Sequence, residues 1–225
     1  MALIKFIKDI FPEAMPLPGA IIYNAIPAKF LREPEKRIAQ EVINRIEGGI
    51  LIDLGSGTGY LSIEIAKRTP KLKVCGIDLS QAMVKIAIKH AKMVKNVQFE
   101  LCNAAELPFE DNSIDFIVST GSLHHWRKPV KVFNECYRVL KNGNEAWIYD
   151  GCPDIAQEEA SEVAKKYGFL RYRILRRLTA FHGFRKQEYE SKIKSVLEQT
   201  QFKNSYKMEQ TDFWMKIVAT KHAES

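Results

Sequence analysis

The sequence predicts an α/β protein built on a doubly wound, mostly parallel sheet. Three observations carry this expectation. Between Gly49 and Asp150, short apolar runs alternate with stretches of helical periodicity, as strands joined by helical crossovers do. The first run empties into a glycine-rich turn, Asp53-Leu54-Gly55-Ser56-Gly57-Thr58-Gly59. The 225-residue chain is 46% hydrophobic and 27% charged, ordinary globular proportions that exclude a disordered, collagen-like or coiled-coil chain. A globule of this size buries roughly 70–75% of its unfolded surface and needs no covalent staples.

Residues 1–48 read as one or two helices around a loop with Pro12, Pro16, Pro18, Pro27 and Pro34, an N-terminal helical lid segment ahead of the domain at 49–225. Ile50 to Leu54 is a short buried strand. Tyr60 to Arg68 is a helix with Leu61, Ile65 and Ala66 on one face, stopped by Pro70. Leu72 to Asp78 is the second strand. Ser80 then caps a helix running to about Val94, with Met83, Ala87, His90, Ala91 and Val94 on one face. Val97 to Cys102 and Ile114 to Ser119 are the third and fourth strands, Pro129 to Leu140 a helix, and Glu145 to Asp150 the fifth strand. A helical insertion follows at about 155–200. Tyr206 to Gln210 and Phe213 to Thr220 close the chain, linked by Thr211-Asp212. So short a link permits a hairpin and forbids a helical crossover, so this pair should be antiparallel.

The start of the chain, Met1 to Phe11, is apolar but broken by Lys5, Lys8 and Asp9, unlike the clean apolar core of a signal peptide. No run of about 18 apolar residues is present to span a bilayer. Cys75, Cys102, Cys136 and Cys152 contain no CxxC pair, which excludes zinc-ribbon and thioredoxin readings and favours a reduced compartment. The expected location is the cytoplasm, and no metal site is expected. The net charge of +7 points to an anionic partner. Its origin is local: Val163 to Lys194 holds ten Lys or Arg against Glu188 and Glu190.

The glycine turn lets backbone and ligand approach closely. The dinucleotide fingerprint is G-x-G-x-x-G/A. Here the spacing is G-x-G-x-G, and Tyr60 stands where the third small residue belongs. That ring disfavours a pyrophosphate, hence a nicotinamide oxidoreductase, and suits a nucleoside with a zwitterionic amino-acid tail. Gly76-Ile77-Asp78-Leu79-Ser80 places a carboxylate at the tip of the second strand. A carboxylate there can accept bonds from both ribose hydroxyls, worth about 1.5–3 kcal/mol each. Asn103 can offer an oxygen to an exocyclic amine, and the Ala104 N–H can reach a ring nitrogen.

With these segments in order, the chain resembles a class I S-adenosylmethionine-dependent methyltransferase, closest to the small-molecule group related to ubiquinone and menaquinone biosynthesis. The resemblance covers about residues 35–150. It rests on Ile52 to Gly59, Gly76 to Met83, Leu107-Pro108-Phe109, Leu123-His124-His125 and Arg138 to Lys141. It implies a Rossmann-like seven-stranded sheet of order 3-2-1-4-5-7-6 with one antiparallel strand. It also implies S-adenosylmethionine as cofactor, bound by Asp53, Gly55, Ser56, Gly57 and Gly59, with the backbone of the three glycines around the methionine part. Asp78 would bind the ribose, Leu79, Met83, Asn103 and Ala104 the adenine, and Ser119 would lie near the sulfonium. The family often has Asp where this chain has Asn103.

Methyl transfer is an in-line displacement, so alignment alone can supply about 7–11 kcal/mol. His124 and His125 are the candidate general bases, although the doublet also serves relatives as a packing element. Gly151-Cys152-Pro153 lacks the Thr-Cys context of RNA cytosine methylation, and Cys152 reads as a half-buried structural thiol. Phe169 to Phe181 places Leu170, Ile174, Leu178 and Phe181 at helical spacing, with Arg173 and Arg177 one turn apart. Apart from a solvated face, this offers an amphiphilic or anionic small-molecule acceptor both an apolar wall and guanidinium groups. The alternatives are an RNA methyltransferase using the basic segment 163–194 and a cofactor-binding regulator without catalysis. The sequence specifies no oligomeric state.

Overall fold

A computed structural model describes Met15 and residues 17–25 and 27–222 of the chain, apart from the side chains of Phe181 and His182. The expectation of helix before residue 15 lies outside the described residues. Two helices, α1 (Leu17–Ala25) and α2 (Pro27–Arg45), lead into β1 (Gly49–Leu54), α3 (Tyr60–Arg68), β2 (Leu72–Asp78), α4 (Gln81–His90) and β3 (Val97–Leu101). Then come β4 (Ile114–Thr120), a 3₁₀ turn (Leu123–His125), α5 (Pro129–Val139) and β5 (Leu140–Gly151). After β5, α6 (Gln157–Tyr167), α7 (Phe169–His182) and α8 (Lys186–Glu188) continue through a π-helical turn (Tyr189–Ile193) into α9 (Lys194–Glu198). The chain ends in the hairpin β6 (Tyr206–Thr211) and β7 (Trp214–Thr220).

The sheet has the expected order β3-β2-β1-β4-β5-β7-β6. The strands β1 to β5 pair in parallel, and β7 runs antiparallel to both β5 and β6. Side chains alternate across it with period two. Ile52, Leu54, Ile77, Ile117 and Ile148 join Phe133 and Cys136 of α5 in one core layer. Leu51, Val74, Phe116, Val118 and Tyr149 join Ile38, Ala39 and Val42 of α2, Leu61 and Ile65 of α3, and Leu175 of α7 in the other. Both faces are covered, as a parallel sheet requires.

Four local differences from expectation have physical causes. Helix α4 ends at His90, about one turn early, because the chain must reverse to bring Val97 into register with Val74. Asn96 directs this reversal: its amide donates to the carbonyls of Ala66, Thr69 and Leu72 at 3.0, 3.2 and 2.9 Å. Strand β5 begins at Leu140, and a register break between Ile114 and Phe116 absorbs the extra length. The hairpin link is Asp212-Phe213, since Thr211 still pairs with Trp214. Asp212 takes the left-handed turn (φ 53°), and Phe213 is wholly buried.

The fourth difference concerns α7. Its buried face is Tyr172, Leu175 and Thr179, not the stripe through Leu170 and Ile174; Leu170 is 72% exposed. The spacing i, i+3, i+7 is equally helical, and Thr179 tolerates burial because its hydroxyl donates to the Leu175 carbonyl at 3.1 Å. Helix α2 is tied to the sheet through Glu41, which accepts from Tyr149 Oη at 2.9 Å and from Lys216 Nζ at 3.1 Å. The buried Lys216 ammonium also lies 3.6 Å from the centre of the Trp147 ring.

Replacing Asn96 by Asp turns a donor into an acceptor facing carbonyl oxygens. The expected cost of Asn96→Asp is about 2–4 kcal/mol, read as a lower urea midpoint with an unchanged slope; an unaltered midpoint would refute the capping role.

Candidate functional site

Strands β1 and β4 are neighbours whose following connections leave on opposite faces of the sheet. A crevice opens at such a switch point, at the carboxyl ends of the strands. Here the cavity is about 150 Å³. Gly55, Gly57, Ile77, Asp78 and Leu79 line one side, Met83, Cys102, Asn103, Ala104 and Val132 another, and Thr120, Gly121, Ser122, His125 and Trp126 a third. Met15 and Tyr23 close it from the N-terminal side.

The glycine turn is shaped by its neighbours. A Cβ on Gly59 (φ 81°) would come within 2.6 Å of the Phe99 ring and 3.0 Å of Ala87, so this glycine lets α3 and α4 pack against the sheet. Gly57 (φ 54°) faces open space, leaving backbone accessible to a ligand. Its N–H donates to Asp78 Oδ2 at 2.9 Å, while Asp78 Oδ1 accepts from the Ser80 N–H at 2.8 Å. Burial raises the Asp78 pKa, against the lowering effect of these two bonds. Each oxygen retains a lone pair for a further donor.

Behind the turn, Asp53 Oδ2 accepts from Ser62 Oγ at 2.6 Å. Asp53 Oδ1 and Ser56 Oγ are buried without a hydrogen-bond partner. Burial pushes the Asp53 carboxyl up to about 7, with Asp78 adding to the effect and the Ser62 bond opposing it. Tyr60 does not block the turn. Its ring stacks on His90 at 4.9 Å, and Arg32 lies over it at 4.1 Å while donating to its hydroxyl.

Ser119 is wholly buried and does not line the crevice; its hydroxyl donates to the Leu54 carbonyl at 2.7 Å and lies 2.6 Å from Ser122 Oγ. The lining positions are the next three residues, Thr120, Gly121 and Ser122. Asn103 Oδ1 accepts from the Ala105 N–H at 2.9 Å, so one of its lone pairs is occupied by a local turn. Arg138 holds the loop that follows, donating to the carbonyls of Leu107 and Phe109 at 2.9 and 2.7 Å. Glu135 accepts from the Leu107 N–H at 2.8 Å, and its pKa is lowered chiefly by its hydrogen bond with Arg138.

The two histidine rings lie 4.0 Å apart, centre to centre, but differ in exposure. His124 is held by the buried Asp150, which accepts from its backbone N–H at 2.7 Å and sits 2.8 Å from its Nδ1. His125 is exposed and lines the crevice mouth. Cys152 is wholly buried, its thiol pKa raised by burial, which leaves it a poor nucleophile. Arg173 and Arg177 are exposed on α7 and do not line this crevice.

Tyr23, Thr120, Gly121 and Trp126 line the crevice but had not been singled out. Thr120 and Gly121 immediately follow the expected fourth strand, and Trp126 follows the histidine doublet. Tyr23 belongs to no local motif, and only tertiary packing brings it to the crevice. The combined surface suits a ligand with a flat apolar ring system, vicinal hydroxyls and a cationic, donor-rich tail. A strand-end carboxylate can accept the hydroxyls, and behind the turn Asp53 Oδ1 and Ser56 Oγ are buried without partners. These residues fit S-adenosylmethionine.

Comparison with known proteins agrees with this surface. Residues 47–210 match a family model described as a methyltransferase domain. A ubiquinone/menaquinone biosynthesis C-methyltransferase from Hydrogenovibrio crunogenus is 29% identical over 144 residues, covering 62% of this chain and 55% of the relative. The match therefore spans about half the relative's length. A solved structure of a candidate S-adenosyl-L-methionine-dependent methyltransferase from Methanococcus maripaludis has a TM-score of 0.73 at 28% identity, covering 96% of this chain and 95% of that one. A phosphoethanolamine N-methyltransferase from Haemonchus contortus, solved with S-adenosylhomocysteine, shares the fold. Its TM-score is 0.54 at 21% identity, covering 84% of this chain and 53% of that one.

Asp150 anchors the lip of the crevice by accepting from His124 and from the Gly151 N–H at 2.6 Å. Asp150→Ala is expected to destabilise by about 2–4 kcal/mol, because buried donors lose their acceptor. Thermal unfolding should record a drop of several degrees, and a melting temperature equal to wild type would contradict the anchor.

Proposed function

Because the chain belongs to the class I S-adenosylmethionine-dependent methyltransferases, we propose that its crevice holds S-adenosylmethionine and presents the methyl group to a small acceptor entering beside His125 and Trp126. The observation that carries this reading is Asp78. Its carboxylate is fixed at the tip of β2 by two backbone N–H groups and borders the cavity. Asp78 receives the ribose hydroxyls. Leu79 and Met83 flank the adenine, whose edge meets Asn103 and Ala104. The turn through Gly55, Ser56, Gly57 and Gly59 surrounds the methionyl tail, with Asp53 behind it. Ser119 acts indirectly, by fixing Ser122.

When bound, the cofactor supplies a methyl group on a sulfonium, already activated for displacement. The work left to the protein is alignment. His124, clasped by Asp150, orders the loop, whereas His125 at the mouth can reach the acceptor and take a proton if the nucleophile carries one.

The acceptor is small and amphiphilic or anionic. This is supported by the exposed Arg173 and Arg177 beside exposed Phe169 and Leu170 on α7, an arrangement that can hold an anionic group and an apolar body together. The related C-methyltransferase, named for ubiquinone and menaquinone biosynthesis, is consistent with an apolar acceptor. The free thiols of Cys75, Cys102, Cys136 and Cys152 suit a reducing, cytoplasmic setting.

The test is transfer of labelled methyl into a fractionated cell extract, with mass spectrometry of the labelled product. Label in a small organic anion or amphiphile is expected; label confined to RNA would overturn the acceptor assignment. Asp78→Asn should weaken S-adenosylhomocysteine binding by about 1.5–3 kcal/mol, roughly 10–150-fold. Undiminished affinity in calorimetry would remove the ribose role. Substituting Ala for Arg173 and Arg177 together should raise the acceptor KM and leave cofactor affinity unchanged; an unchanged KM would count against the anionic subsite.

A further inference from the structure

A second cavity, of about 490 Å³, opens on the same edge of the sheet, beyond the end of β5. It shares no lining residue with the cofactor crevice. Its volume is that of a small organic ligand. Three cationic side chains line it, Arg176 of α7 and, where α8 begins, Arg185 and Lys186. Pro153 and Ile155 add apolar surface, and Gln210 of β6 closes the far side.

The α8 side of the cavity is held in place by short contacts. The turn before α8 sits on the end of β5: the Phe184 N–H donates to the Gly151 carbonyl at 3.0 Å, and a Cβ on Gly183 would collide with that oxygen. Asp154 Oδ1 then accepts from Arg185 Nη1 at 2.6 Å, and Oδ2 accepts from the Lys186 N–H at 2.8 Å. The Asp154 carbonyl accepts from Gln210 Nε2 at 2.8 Å. Both carboxylate oxygens of Asp154 are thus engaged by the protein. The Arg176 guanidinium and the Lys186 ammonium make no hydrogen bond or ion pair among the described residues. Helix α6 starts at the cavity, and Ala156, its N-cap, offers no side-chain oxygen to the first-turn N–H groups, which adds to the positive potential. Glu159 is the other acid in the lining, so cationic side chains outnumber acids there.

We propose that this cavity binds a small organic phosphate, the phosphate group meeting Arg176 and Lys186 and the organic part lying against Pro153 and Ile155. A guanidinium fork beside a mobile ammonium is suited to phosphate oxygens. The inference does not rest on the cofactor assignment, since the two sites have no residue in common. They do flank one strand tip. Pro153 is three residues beyond Asp150, a span of at most about 11 Å, and Asp150 holds His124 beside His125 at the crevice mouth. The same lining chemistry serves a phosphate carried by the methyl acceptor or by a separate metabolite.

The experiment is calorimetry of the full chain with phenyl phosphate and with inorganic phosphate at constant ionic strength. Phenyl phosphate should saturate one site per chain and bind more tightly than inorganic phosphate. Arg176→Ala, at an exposed position, should weaken phenyl phosphate about tenfold. Glu159→Gln removes a repelling charge and should strengthen it up to about fivefold, a gain that damage to the fold would not produce. Both variants should bind S-adenosylhomocysteine as the wild type does. Absence of saturable binding to the wild type, or an affinity that neither substitution alters, overturns the proposal. Labelled-methyl transfer into a cell extract separates the two sources: loss of a phosphorylated product with Arg176→Ala assigns the phosphate to the acceptor, and unchanged labelling assigns it to a separate ligand.

Discussion

The site is organised by one half-buried constraint, the Asp78 carboxylate bridging two backbone N–H groups from different elements. Gly57 donates from the turn after β1, and Ser80 donates from the start of α4. The bridge sets the turn against the tip of β2. It also orients a charged acceptor toward the cavity in a place where water is scarce and such an acceptor is strongest. A neighbouring contact tightens the junction: the Ser56 N–H donates to the Ile77 carbonyl at 2.9 Å. Turn, strand tip and helix start are thus joined by direct hydrogen bonds. The cost is a carboxyl raised by its own burial, which donors supplied by a ligand would offset.

The other half of the crevice is held by a separate set of charged hydrogen bonds. Arg138 and Glu135 on α5 fasten the loop through Leu107 and Phe109. Asp150 at the end of β5 fastens the turn carrying His124. Several motif residues therefore act on the loops rather than on a ligand. Buried hydrogen-bonding positions of this kind leave little freedom in residue type, because removing one partner strands the other.

Helix α2 joins the fold to the site. Its later residues, Ile38, Ala39 and Val42, belong to the core beneath β1 and β4, and Glu41 binds side chains of β5 and β7. Its earlier residue Arg32 packs over Tyr60, the first residue after the glycine turn. An N-terminal segment that reads as a covering lid is, in its second half, a core helix. Its position over the turn is thereby set by the packing of the sheet.

The fold was legible in the sequence because its signals are local. Apolar runs of strand length alternating with helical stripes require a covered parallel sheet, and a link as short as the one near Asp212 requires an antiparallel hairpin. The glycine turn and Asp78 were legible for the same reason, since a turn with left-handed residues and a strand-end acid are each written within a few positions. Tertiary structure decided what depends on distant neighbours. It turned α7 onto Tyr172 and Leu175, buried Ser119 beneath the lining that Ser122 provides, and occupied an Asn103 lone pair with a backbone N–H. It also brought Tyr23 to the crevice from a helix with no motif of its own. Periodicity reports that a helix has an apolar face, but only the partner surface determines which of two equally spaced stripes is buried, and burial in turn determines which polar atoms remain for a ligand.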